Sequence, residues 1–218
     1  MRNSAFEFYD NKSKNLIIAY ASNISKFVNN ESVFEFRRSL SNMNLDANFL
    51  FVRDDLKNWY LSKIAGVGNN ITHSICFFKK YFDSHDKVIT MGVSAGGFAA
   101  LLFGSLLNAD MVIAFTPQTD LDYASKICER AWGVHMCPHL QRTSKLKTYE
   151  KYKNLKNIIA QNTTTKYYIN TKSAETDDEL HNYHHYENVE TSSTSFFQPS
   201  VKDGISDGLL EQLLKKYL

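Results

Sequence analysis

Ser94 is the side chain in this sequence best placed to act as a nucleophile. It sits in Gly92-Val93-Ser94-Ala95-Gly96-Gly97, a G-x-S-x-G pattern preceded by the apolar run 87–91 and followed by the small and apolar residues 98–104. Strand, glycine turn and helix in that order hold a serine hydroxyl out above a sheet. The helix start aims unpaired N–H groups at a developing oxyanion. A serine also needs a base to take its proton and an acid to orient that base. Where the nucleophile stands on such a turn, the acid follows it in the chain and the histidine comes last. The acid is expected after the strand at Lys166–Asn170, where Glu175, Asp177, Asp178 and Glu179 cluster; Asp178 is the first choice and Asp177 the second. Either could equally serve as a helix N-cap.

The base does not fall where that order puts it. No histidine follows His185, and Ser195-Phe196-Phe197-Gln198-Pro199-Ser200-Val201 occupies the expected position. Four explanations stay open: a base at His181, His184 or His185, with His181 taken first; a shifted strand register; a dyad or other base; or an inactive site. His181 and His185, four residues apart, could also share a helix face toward a metal. No further ligand is placed beside them, so no metal is assigned. For the oxyanion, the Ala95 N–H is one donor, and the loop around Ser22-Asn23-Ile24 supplies the second at Asn23.

The elements that must position these groups are legible as patterns. Six segments read as strands: Leu16–Ser22, Phe49–Arg53, Val88–Val93, Met111–Phe115, Lys166–Asn170 and Val189–Thr194. The first four are nearly continuous apolar runs, as in a parallel sheet covered on both faces. Helical patterns fall at Val33–Leu40, Ile71–Phe82, Gly97–Leu107 and Leu209–Leu218. This alternation predicts an α/β fold, a three-layer sandwich with a mainly parallel sheet. Residues 1–218 read as a single domain. Ala124–Asn157, rich in aromatic residues and histidine, reads either as a lid or substrate wall near the carboxyl ends of the strands or as an ordinary helical crossover.

Composition narrows the function classes. Net charge is +2 with the signs interspersed, which makes no electrostatic case for nucleic acid. No apolar run is long enough for a membrane span, and the N-terminus lacks the apolar core of a signal peptide. Three cysteines (76, 128 and 137) without metal-ligand spacing read as reduced thiols. A cytoplasmic location is expected.

Three blocks occur in order: Phe51-Val52-Arg53-Asp54 with Asn58-Trp59-Tyr60; Met91 to Leu101; and Ala114-Phe115-Thr116-Pro117-Gln118. With a looser fourth, Asp178 to His181, the chain resembles the α/β-hydrolase fold. More narrowly, it resembles small bacterial α/β-hydrolase-like proteins linked to capsule and surface-polysaccharide genes, some of them O-acetyltransferases. The resemblance implies Ser94 as nucleophile and Asp178 as triad acid. It also implies a histidine just before the closing helix, where this chain has Gln198-Pro199-Ser200-Val201. The expected activity is acyl transfer, as an esterase or a polysaccharide O-acetyltransferase, with acetyl-CoA as a donor and no tightly bound cofactor. The alternative is an inactive pseudohydrolase that binds or scaffolds. The expected partners are a small ester or thioester, or a polysaccharide; the sequence leaves the oligomeric state open.

Overall fold

The long apolar runs become the strands of one sheet, and their period of two divides the core. In the computed structural model, β1 (Phe6–Tyr9), β2 (Asn15–Tyr20), β5 (Asn48–Val52), β6 (Lys87–Val93), β7 (Met111–Phe115), β8 (Lys166–Asn170) and β9 (Val189–Ser192) form a seven-stranded sheet in the order β1-β5-β2-β6-β7-β8-β9. The structure describes residues 4–23, 27–28, 31–32, 34–132, 134, 136–170, 189–192 and 208–218. Every pairing in the seven-stranded sheet is parallel except that of β1 with β5. A two-residue pair, β3 (Phe27–Val28) with β4 (Glu31–Ser32), stands apart. Leu16, Ile18 and Tyr20 face one core, and Ile17 and Ala19 the other.

Helices cover both faces. On one lie α2 (Ile71–Phe82), α3 (Ala95–Leu107) and the helices joining β7 to β8: α4 (Leu121–Trp132), α5 (Cys137–Thr143), α6 (Tyr149–Tyr152) and α7 (Lys156–Gln161). On the other lie α1 (Arg37–Asn42) and α8 (Leu209–Tyr217), through Leu40, Leu210, Leu213 and Leu214. Helix α3 is buried along its length from Ala95 to Ser105. It packs against β2, β6 and β7 and against α2 and α7, which explains an apolar composition without a polar face. No helix among the described residues is long and apolar enough to cross a membrane.

All six expected strands are present: Met111–Phe115 and Lys166–Asn170 match at both ends, three others shift by one or two residues, and the expected end of the last, 193–194, lies outside the described residues. The strand added to this sheet, β1, is short and half-buried at its edge, so it carries little of the apolar signal. The helix expected over Val33–Leu40 starts instead at Arg37. Phe36 takes a left-handed φ of 65° before it. Phe34 and Phe36 both turn into the core, and Glu35 turns to Ser22, so tertiary contacts override the local helical pattern. The segment 124–157 lies within the β7–β8 crossover and is mostly helical. Leu140, Tyr149 and Tyr152 in it are core residues.

Candidate active site

Four neighbouring parallel strands, β5, β2, β6 and β7, end on the same side of the sheet, and each is followed by a candidate residue. That edge is where open α/β sheets bind ligands. Beyond β6, Ser94 has φ 54° and ψ −120°, a conformation L-residues rarely adopt. The turn closes because two glycines let backbone approach backbone. A Cβ on Gly92 would stand 2.3 Å from Gly96 C and O, and one on Gly96 would stand 2.2 Å from Tyr20 O. Ser94 N–H is anchored to Phe115 O at 2.9 Å. Ala95 opens α3, so its N–H has no carbonyl one turn earlier within the helix.

The hydroxyl itself is held. Ser94 Oγ donates to Gln118 Oε1 at 3.1 Å, and the Trp59 indole Nε1 donates to the same oxygen at 3.2 Å. Gln118 Nε2 donates in turn to Thr116 O at 3.3 Å. Gln118 and Trp59 are both buried. An amide oxygen accepts a hydrogen bond but does not take a proton at neutral pH. The contact therefore fixes the serine rotamer without activating it.

Trp59 is aimed by the loop after β5. Lys57, Trp59 and Tyr60 have φ of 53°, 56° and 60°. The fully buried Asp54 carboxylate holds them, accepting N–H bonds from Leu56 at 3.1 Å, Asn58 at 2.7 Å and Tyr60 at 2.9 Å. Burial pushes the Asp54 carboxyl up to about 6, against the opposing pull of those three donors. Tyr60 Oη closes the loop onto Ala21 O at 2.7 Å.

The loop after β2 carries Asn23, which is 2 % exposed and has neither side-chain polar atom partnered among the described residues. Unpaired buried amides are rare and costly. Tyr20 pairs in register with Gly92, so Asn23 and Ser94 extend from adjacent strand ends. The preceding residue is clamped by Glu35, whose carboxylate accepts from Ser22 N–H and, at 2.8 Å, from Ser22 Oγ. Burial raises the Glu35 carboxyl above the usual carboxylate range, with the two Ser22 bonds opposing.

The structure thus brings Ser94, Ala95 and Asn23 to one edge. Asp177, Asp178, His181, His184 and His185 lie outside the described residues. In the sequence, Asp54, Trp59 and Gln118 stand out only as members of the blocks that carry the family resemblance. Glu35 carried no signal, because its partner Ser22 lies on another element.

No protein-family model and no curated protein matches the sequence. Solved structures do. The capsule O-acetyltransferase of Neisseria meningitidis serogroup A matches with TM-score 0.68 at 15 % identity, over 99 % of this chain and 93 % of that one. A mutant of that enzyme in complex with CoA matches with TM-score 0.62 at 13 % identity, over 100 % and 94 % of the two chains. The substrate-bound fluorophosphonate-binding serine hydrolase F of Staphylococcus aureus matches with TM-score 0.58 at 9 % identity, over 94 % and 83 %. The chain has the α/β-hydrolase fold. Its structural neighbours include capsule O-acetyltransferase as well as serine hydrolases and esterases.

Proposed function

We propose that the protein is a serine-dependent acyl-transfer enzyme working through an acyl-Ser94 intermediate, as an esterase or a polysaccharide O-acetyltransferase. The observation that carries the reading is the backbone of Ser94, held at φ 54° and ψ −120° at the start of a buried helix by two glycines that admit no side chain. In the first half-reaction Ser94 Oγ attacks the ester or thioester carbonyl and gives its proton to the base, here assigned to His181 and oriented by Asp178. The oxyanion is met by the Ala95 N–H and a donor at Asn23. Collapse breaks the C–O or C–S bond, and the leaving group departs with the proton. In the second half, water or a sugar hydroxyl attacks the acyl-enzyme and its proton returns to Oγ through the base. Acetyl-CoA is the proposed donor for the transferase outcome, since a structural neighbour binds CoA. The crossover helices α4–α6 serve as the substrate wall of a single domain, and a cytoplasmic location suits that donor.

A second reading is favoured by one contact. The acceptor of the Ser94 hydroxyl is the Gln118 amide oxygen, as suits an inactive hydrolase-fold protein that binds or scaffolds. Turnover of p-nitrophenyl acetate and of acetyl-CoA, with and without a glycan acceptor, separates the two. Activity lost in Ser94→Ala supports the enzyme. Unchanged turnover in that variant, or none in the native protein, overturns it.

A further inference from the structure

The loop after β5 has two sides. Its buried side carries Trp59, which donates to the serine partner Gln118; its outer side faces α5 across a cleft of about 610 Å³, a volume ordinary for a ligand site. Lys57, Asn58 and Ser62 line one wall, and His139 and Arg142 the other. Thr148 Oγ1 donates to Leu61 O at 2.8 Å and ties the walls together.

The polar groups in this cleft are not balanced against each other. Neither Lys57 nor Arg142 takes part in an ion pair among the described residues. Asp55, the acid in the lining, is engaged by Arg53 Nε at 2.9 Å. Arg142 Nη2 donates to His139 Nδ1 at 2.5 Å, which steadies the guanidinium and leaves its other donors available. Asn58 is 9 % exposed, and among the described residues its Oδ1 has no partner, although its Nδ2 donates to Ser62 Oγ. Two cations that line one cleft without a carboxylate partner among the described residues suit a ligand that carries an anionic oxygen group.

We infer that this cleft binds the phosphate- or carboxylate-bearing part of a substrate, with Lys57 and Arg142 on the anion. The inference deepens the acyl-transfer reading and rests on it for the word substrate. Asn58 is the chain neighbour of Trp59, whose indole shares Gln118 Oε1 with the Ser94 hydroxyl. A ligand seated here therefore lies against the loop that orients the nucleophile. Two sources carry this chemistry: the phosphates of a CoA donor and the acidic groups of an anionic glycan acceptor.

The test is calorimetric binding of pyrophosphate to the native protein, followed by competition with CoA and with a uronic-acid oligosaccharide. The expected result is saturable pyrophosphate binding that weakens about tenfold in the double variant Lys57→Gln/Arg142→Gln and is unchanged in Lys63→Gln. Displacement by CoA assigns the cleft to the donor; displacement by the oligosaccharide assigns it to the acceptor. Equal binding by native and double variant, no binding, or binding that neither competitor displaces overturns the inference. None of these measurements needs a reactive serine. Ser94→Ala is expected to bind like the native protein, so failure of the acyl-transfer reading shows up separately, as lack of turnover.

Discussion

Two turns at the carboxyl edge of the sheet hold residues in the left-handed region, and they do so by opposite means. At Ser94 the strain is accommodated by absence: Gly92 and Gly96 lack the Cβ atoms that would strike backbone. In the 54–60 loop it is accommodated by presence: Lys57, Trp59 and Tyr60 are not glycines, and a buried carboxylate collects three N–H groups to keep them there. The first device depends on sterics alone and is indifferent to pH. The second depends on an ionisable acceptor. The two meet at Gln118 Oε1, which accepts from both Ser94 and Trp59.

Gly96→Ala breaks the steric device and has the largest expected effect. Its Cβ would meet Tyr20 O at 2.2 Å and Tyr20 C at 2.8 Å, atoms of a buried strand that cannot swing aside. A loss of about 3 kcal/mol is expected in urea unfolding. Asp54→Ala breaks the electrostatic device by orphaning three N–H groups. Partial relaxation of an exposed loop edge limits the loss to about 2 kcal/mol.

Asp54→Asn sharpens the contrast through pH. The folded carboxyl titrates at about 6 because burial outweighs its N–H donors, above the ordinary carboxylate value. Its contribution to stability is therefore fully present at acid pH and is lost as pH rises through about 6. The stability of the native protein relative to Asp54→Asn should fall between about pH 4 and pH 7. A Gly96→Ala series should show no such trend against native. Trp59→Phe has the smallest effect. It keeps the ring in its pocket and removes one hydrogen bond to Gln118, for about 1 kcal/mol in the same assay.

The same contrast explains what was legible in the sequence. A steric device is written locally, since Gly92, Ser94 and Gly96 stand within five residues and between a strand and a helix that their own apolar runs announce. The sheet was legible for the same reason: β2, β5, β6 and β7 are buried on both faces, so their composition alone marks them. An acceptor device is written across the chain. Asp54 reads as one acid in a polar loop until the N–H groups of Leu56, Asn58 and Tyr60 are seen to converge on it. Gln118 lies 59 positions from Trp59, and Glu35 lies 13 from Ser22. Residues 34–36 misled for a related reason, since Phe34, Glu35 and Phe36 follow helical spacing but satisfy contacts on other elements. Edge strand β1, half exposed, had too little apolar surface to announce itself.

The central claim is that Ser94 is an activatable nucleophile, and the most direct measurement is fluorophosphonate labelling read by peptide mass spectrometry. The account predicts one phosphonate adduct, on the peptide carrying Ser94, in the native protein and none in a folded Ser94→Ala variant. A folded native protein that stays unlabelled at saturating probe, or that carries the adduct on another residue, would contradict it.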